Sequence, residues 1–487
     1  MRATWNWPAP AVSAAAAVLL LAGCGSGDPT DRATTGPAHQ PFTSRPDLTA
    51  PAIGITRAVP QRTTGDGAVV TLGLKGDDAP LTGALLVDDA GEPVWIHPTS
   101  SDPFDVRVQQ YEGQPVLTWW EGTSEEGHGF GTLKVVDSSY RQIAEVDTGG
   151  DLDPGQVDIH EGRLTAAGTA LVTAYVRTRT DLRPVGGPAD GWAWDGVVQE
   201  IDVATGTVLL TWHSLDHVPV EQTESEYDGR TGTEQDPFDY FHVNSVAEDT
   251  DGTLLVSARN TWAVYKVERA SGDVVWTMGG KDDDFRFGAG AHYAWQHDAE
   301  RQADGTITVY DNESEPDEAE HSRGLRLAVD EQARTVDLVT AYDPPDPTRL
   351  SGSQGSVEVL PDGNVLVGWG SRHFYSEYTG DGRLVYDADL GSGTSYRAFR
   401  SAWTGTPTDP PDAAVTEGQV HASWNGATEV ASWRLVTGSG AAAATPQAAV
   451  SRTGFETTLP VTGSPAYVRV EALDAAGTVL GSTVVDR

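Results

Sequence analysis

From about Leu48 to Trp403, apolar residues come in short runs that alternate with polar ones and break at glycine turns. That period of two is the mark of half-buried strands, and no helical period of useful length interrupts it. Around His242 a whole unit can be read: a strand from His242 to Glu248, a turn at Asp251-Gly252 and a return from Thr253 to Arg259. A third strand runs from Trp262 to Glu268, and after the turn at Ser271-Gly272 a fourth runs from Asp273 to Met278. Alternation joined by hairpin turn chemistry predicts a four-stranded antiparallel meander. First-turn glycines recur at Gly113, Gly168, Gly252, Gly305 and Gly363, at intervals of 55, 84, 53 and 58 residues. The long interval holds an insertion, and Thr180 to Trp194 and Asp216 to Asp239 are its expected homes because both are poor in strand pattern. A sixth unit would be composite, pairing the late strand Tyr396 to Trp403 with early strands at Ala84 to Asp88 and Pro93 to His97. Joining both chain ends in one unit closes a ring and removes exposed sheet edges. The expectation for residues 48–405 is therefore an all-β, six-bladed β-propeller of four-stranded antiparallel blades.

Texture changes after Gly405. Thr406-Pro407-Thr408-Asp409-Pro410-Pro411 reads as a stiff linker, followed by short strands at Gln419 to Trp424, Ala431 to Thr437 and Ala466 to Ala472. Residues 406–487 are thus expected to form a linker and a small C-terminal β-sandwich with Trp424, Trp433 and Tyr467 in its core, resembling a fibronectin type III module. At the other end, Arg2 precedes an apolar run from Ala11 to Ala22, too short to span a membrane. It ends in Leu21-Ala22-Gly23-Cys24, a pattern that resembles the bacterial lipobox. The implication is a leader over residues 1–23, lipidation of Cys24, a flexible tether over residues 24–47, and anchorage to the extracytoplasmic face of the cell membrane. Cys24 is the single cysteine, so an intrachain disulfide and a multi-cysteine metal cluster are both excluded.

Composition narrows the partners. With 71 acidic against 32 basic residues the formal charge is -39, which argues against nucleic acid as a partner. Acidic stretches at Lys281-Asp282-Asp283-Asp284 and Asp311 to Glu320 lack the glycine-spaced ligands of a calcium loop and read as solvated.

Three histidines head the same kind of strand, in Asp158-Ile159-His160, Tyr240-Phe241-His242-Val243-Asn244 and Trp295-Gln296-His297-Asp298. In a ring of wedges, equivalent strand starts converge at one mouth of a central channel. His242 and Asn244 would share a strand face, and Arg259, ending the returning strand, would be at the same mouth. His160, His297, Asn312 beside Asp311, Gln354 and Trp369 follow by the same logic. Imidazoles with a guanidinium point to anion recognition. Each residue also has a plainer reading: a strand-start histidine is ordinarily structural, Arg259 could pair with a carboxylate, Asn312 could cap a turn, and tryptophans usually fill blade cores. His97, His128, His213, His217, His292, His321 and His373 lack the strand-start pattern and are assigned structural roles.

Several segments together are similar to bacterial arylsulfotransferases over about residues 44–407. They are Ser44-Arg45-Pro46-Asp47-Leu48, Asp158-x-His160-Glu161, Phe241-His242-x-Asn244-Ser245 with Ser257-Ala258-Arg259, and Trp276-x-x-Gly279-Gly280-Lys281. Gln296-His297-Asp298-Ala299, Asp311-Asn312, Gly368-Trp369-Gly370 with Ser376-Glu377, and Ser395-Tyr396-Arg397 complete the set. The resemblance implies a six-bladed propeller that moves a sulfuryl group from a phenolic sulfate ester to a phenolic acceptor, without a nucleotide donor or other cofactor. It implies His297 as the nucleophile, with His160, His242, Asn244 and Arg259 holding sulfate oxygens or serving as acid and base. Trp119, Trp120, Trp295 or Trp369 would stack on the phenyl ring. Asp298, next in the chain to His297, would point to the opposite strand face. Two other readings fit the same residues. One is a non-catalytic, lipid-anchored propeller that binds a cell-surface polymer or protein. The other is an oxidoreductase with His160, His242 and His297 on a metal, disfavoured by the charge of Arg259.

Overall fold

The computed structural model describes residues 39–59 and 67–485. The expected leader, Cys24 and the tether up to residue 38 lie outside the described residues. Among these, strands dominate, and helical turns are confined to Arg183–Val185, Ser214–His217, Val220–Gln222 and Ala441–Ala443.

The unit around His242 forms as its pattern predicts: Val243–Glu248, Leu254–Ala258, Ala263–Val267 and Val274–Gly279 pair in that order. Its alternation feeds two separate interiors. Val246, Leu254, Val256 and Tyr265 enter one apolar cluster, while Leu255, Val264, Trp276 and Met278 enter another. A sheet buried on both faces in this way is held between two neighbours. Two further meanders follow, from His297–Arg301 to Thr335–Tyr342 and from Ser356–Val359 to Leu384–Asp389; an extra edge strand joins each, Arg286–Phe287 and Gly54–Ala58 respectively.

The composite unit is present as Thr394–Ala402, Ala68–Lys75, Gly83–Val87 and Pro93–Pro98. Sequence reading missed Ala68–Lys75, although Val70, Leu72 and Leu74 alternate there with Thr71, Gly73 and Lys75 and enter one apolar cluster. The two remaining meanders, which begin at Phe104–Tyr111 and Val157–Leu164, run together into one eight-stranded sheet through the pair Val157↔Gly131. The first half of the expected insertion is the end of a long hairpin: Thr169–Thr180 and Gly191–Asp202 pair in register along their whole length, and residues 181–190 form the loop between them. The other half, residues 214–239, is irregular apart from its short helical turns.

The first strands of these six meanders touch in a closed cycle. Phe104–Tyr111 meets Val157–Leu164, which meets Val243–Glu248, then His297–Arg301, Ser356–Val359, Thr394–Ala402 and Phe104–Tyr111 again. Five of the six carry a register shift near the start, and Asp105, His242 and Asp298 there have left-handed φ of 53°, 54° and 56°. Such bulges re-aim side chains, so strict alternation fails where the chemistry is. His242 precedes its strand instead of sharing a face with Asn244 inside it, and Asp298 is not a simple opposite-face residue.

Below these starts the axis is filled by charge. Arg397, fully buried, has Nη1 3.0 Å from Asp105 Oδ1 and 3.2 Å from Glu161 Oε2. Its Nη2 is 3.5 Å from Asp298 Oδ1 and donates to the Asn244 carbonyl at 3.0 Å. One guanidinium thereby ties four other first strands together.

After residue 405, the strands Asp412–Thr416, Gln419–Ser423 and Glu456–Pro460 form one sheet, and Ser432–Gly438, Tyr467–Leu473 and Val479–Val484 anchor a second. Trp433 is in the shared apolar cluster and Trp424 packs at its margin. Tyr467 is outside it, a departure from the expected core. The side chain of Asn425 accepts from and donates to the main chain of Ile96, both at 2.8 Å, covering an edge strand of the composite sheet. The tether boundary also needs correction: His39–Pro41 pairs with Thr49–Pro51, and Ser44 Oγ reaches Glu456 Oε2 at 2.5 Å.

His213 illustrates the structural histidines. It bridges Asp195 at 2.8 Å and Asp151 at 2.9 Å, and the Asp195 hydrogen bond, against the opposing effect of burial, lifts its pKa to about 9. A raised folded pKa stabilises below the unfolded value near 6.5 and loses that contribution as pH climbs through 9. His213→Gln is therefore expected to cost about 1–2 kcal/mol near pH 6 and much less above pH 10, measured by urea unfolding at both pH values. Equal losses at the two would remove the ion pair as the cause.

Candidate active site

Three imidazoles from three different first strands meet at one end of the cycle. The His160 ring lies 4.9 Å from that of His242 and 6.5 Å from that of His297, centroid to centroid. Each ring is held from behind at Nδ1 by a different partner. For His160 that partner is Asp158; for His242 it is Asp239, at 2.5 Å; for His297 it is the amide oxygen of Asn312, at 2.8 Å.

Asn312 is itself fixed. Its Nδ2 donates to the carbonyls of Ser351 and Gln354, both at 3.0 Å, so its Oδ1 must be the atom facing the imidazole. An amide oxygen only accepts, which places the His297 proton on Nδ1 and leaves a lone pair on Nε2. That lone pair receives the Gln354 main-chain N–H at 3.1 Å, and Gln354 holds a left-handed φ of 69°. Left-handed residues gather here, with Trp295, Glu313 and His242 at 57°, 55° and 54°, as is common where a site stores strain.

Arg259 lies against the face of Trp295, its Cζ 4.7 Å from the ring centroid. Its guanidinium donates to Asn260 Oδ1 at 3.0 Å and to the Gly352 carbonyl at 3.0 Å, while Nε is buried without a partner. Among the described residues it forms no ion pair with a carboxylate, so the plainer reading of Arg259 as one half of a pair between blades is not met.

Burial, then the charge of Arg259 and the nearby His160, hold the His297 imidazole well below its ordinary value. Burial brings His242 down to about 4 despite Asp239. Asp239 and Asp158 stay ionised, because the neighbouring histidines outweigh the burial that would protonate them. At neutral pH the site thus holds two neutral rings and one unpaired guanidinium.

Of the other expected residues, Asn244 uses its Nδ2 on the Gln296 carbonyl at 2.6 Å and so steadies the chain that carries His297. Gln354 contributes its main chain. Trp369 is not brought to the imidazoles: its indole donates to Ser376 at 2.7 Å inside the cluster with Tyr310 and Tyr342. Trp119 and Trp120 are likewise packed in sheet interiors. The rings that do border the imidazoles are Tyr175 and Tyr396, and Trp295 lies beneath Arg259. His128, assigned a structural role from sequence, lies 5.5 Å from His242 and 3.2 Å from Asp239. It heads His128–Val136, the third strand of its meander, at a hairpin tip, so the pattern of first-strand starts did not flag it.

Residues 107–391 match the family model described as arylsulfotransferase (ASST). The chain belongs to the arylsulfotransferase family. That places it among sulfotransferases in general, a class whose aryl sulfate donors and phenolic acceptors suit a site of imidazoles and one guanidinium. The match includes all three imidazoles, Arg259 and Asn312, and leaves out Asp105 and Arg397. A search of the curated proteins finds no match. Among solved structures, a protein of unknown function from Bacteroides caccae is 12% identical over 69% of this chain and 99% of its own, with a TM-score of 0.41. Virginiamycin B lyase from Staphylococcus aureus is 9% identical over 77% and 96%, with a TM-score of 0.33. AztD from Citrobacter koseri is 9% identical over 70% and 100%, at 0.35. Likenesses this distant transfer no chemistry.

Proposed function

We propose that this arylsulfotransferase moves a sulfuryl group from a phenolic sulfate ester to a phenolic acceptor through a sulfated His297, without a nucleotide donor. The observation that carries the reading is the tautomer of His297, with Nδ1–H given to Asn312 and a neutral Nε2 beside an unpaired guanidinium. In the first half-reaction Nε2 forms a bond to sulfur and the bond from sulfur to the phenolic oxygen breaks. A phenol has a reference pKa of about 10, so a proton delivered to the departing oxygen assists cleavage. His160 is the proton donor in this reading and enters the step doubly protonated, its Nδ1–H held by Asp158 and its Nε2–H given to the departing oxygen. In the second half-reaction the acceptor hydroxyl gives its proton back to that base, its oxygen bonds to sulfur, and the bond to Nε2 breaks. Arg259 stabilises the sulfuryl oxygens, whose charge shifts during a loose transfer. The Gln354 N–H leaves Nε2 on donor binding and turns to a sulfuryl oxygen.

The scaffold in the same reading is a six-bladed propeller, supported by the closed cycle of six first strands, followed by a fibronectin type III-like sandwich over residues 406–487. Cleavage before Cys24 and its lipidation would hold the protein at the extracytoplasmic face of the membrane, where extracellular phenols are met.

Incubating the mature protein with a chromogenic phenyl sulfate alone is expected to leave an acid-labile sulfuryl mass on the peptide that contains His297, and adding a phenol should discharge it. The label on His160 or His242 instead would reject the assignment of the nucleophile. No turnover with any acceptor, with tight binding to a surface polymer, would leave the binding-module reading.

A further inference from the structure

We propose that His128 is a fixed cation that acts through Asp239 to set the tautomer and basicity of His242, so that His128, Asp239 and His242 form a histidine–carboxylate–histidine relay at the rim of the site. Its catalytic consequence rests on the sulfuryl-transfer reading above; the relay itself does not.

The hairpin of Gln114–Glu125 and His128–Val136 carries His128 at its tip, between Gly127 and Gly129. Gly129 explains how the tip comes so close. A Cβ there would lie 2.6 Å from the Ile159 nitrogen, and its own N–H donates to Asp158 Oδ1 at 2.5 Å, so only glycine lets the hairpin press against the strand of His160. The His128 ring is then clamped, stacked on Trp194 at 4.6 Å and edge-on to Tyr175 at 4.4 Å. It is buried, with Nε2 3.2 Å from Asp239 Oδ2, an ion-pair distance without hydrogen-bond geometry, and with no partner on Nδ1.

The same Oδ2 accepts from His242 Nδ1 at 2.5 Å. Two ligands of one tetrahedral zinc, each about 2.0–2.1 Å from the ion, would be roughly 3.3 Å apart. In this structure the pair shares a proton, and the metal content measured below tests the alternative that His128, Asp239 and His242 hold an ion. One carboxylate lies between a charged and a neutral imidazole: burial opposes charging of His128, but Asp239 and Asp158 raise it, while burial drives His242 down to about 4. The groups facing His242 are Asp239, His128, His160, Tyr175 and His297. With His128 charged, Asp239 is neutralised locally. It can then fix the His242 ring, with Nε2 turned to the site, without drawing up its basicity or repelling a sulfate.

Removing the charge has a direction. In His128→Gln, Asp239 becomes an uncompensated anion, so His242 is expected to titrate at least about one pH unit higher. The donor KM should rise several-fold, and His128→Arg should restore part of both. The decisive measurement is an NMR titration of the histidine rings in the substrate-free full chain. His128 doubly protonated at pH 7 with His242 neutral is expected; a neutral His128 in the unaltered protein overturns the relay even if no variant folds. An unshifted His242 in a folded His128→Gln also overturns it, as does stoichiometric zinc lost with His128. Shifted titration with no sulfuryl transfer by the unaltered protein would keep the relay and discard the transferase reading.

Discussion

Replacing Arg397 with methionine is expected to cost about 3–5 kcal/mol of unfolding free energy, the range found when one partner of a buried ion pair is removed. The guanidinium is fully buried and faces Asp105, Glu161 and Asp298, while also bonding the Asn244 carbonyl. Arg107 stays beside Asp105 and Glu161, 3.1 Å from the latter, and Arg163 lies 4.0 Å from Glu161, but Arg163 is already engaged by Glu300 at 2.6 Å. Carboxylates left in this state hold protons more tightly folded than unfolded. The deficit should therefore grow with pH above about 4 and shrink in acid. Urea unfolding at pH 5 and pH 8 reads both features. A loss below 1 kcal/mol at pH 8 would remove Arg397 as the hub of the strand starts.

Much of this architecture is written in the chain as alternation and turn chemistry. The meander around His242 and the composite sheet that joins the chain ends both follow from those signals alone. What escaped did so for identifiable reasons. Bulges at Asp105, His242 and Asp298 depend on tertiary packing, and they decide which side chains meet on the axis. Arg397 and its carboxylates are a non-local network, assembled from residues up to 292 positions apart, with no local pattern at all.

The site was legible in proportion to how far it repeats. His160, His242 and His297 lie near the starts of first strands, His160 as the fourth residue of Val157–Leu164 and His242 just before Val243–Glu248, and are brought together with Arg259 beside them. Where the repeat breaks, reading by position fails. His128 comes from a hairpin tip, Asp239 from the irregular segment before His242, and Trp369 obeys the ordinary rule that a tryptophan in a repeat fills its core. Asn312 reaches His297 as an orienting partner, a role that neither turn capping nor substrate binding describes.

That role sets the last and largest expectation. His297→Ala is expected to lose at least about 10⁴-fold in kcat, because the atom that would carry the sulfuryl group is gone and water cannot take its place in a two-step transfer. Asn312→Leu should keep the imidazole yet lose on the order of 10²–10³-fold. Leucine has no acceptor, so Nδ1 and Nε2 compete for the proton, and the ring loses the bond that aims it. Asn312→Asp separates aim from charge: it restores an acceptor but brings an anion against a ring now held neutral by burial and Arg259. Its pH profile should gain an acid limb at higher pH than in the unaltered protein, with activity recovering as pH rises. Single-turnover measurement of phenol release across pH 5–9 distinguishes these cases. If Asn312→Leu matched the unaltered protein while His297→Ala stayed inactive, His297 would keep its place and the tautomer argument would be wrong.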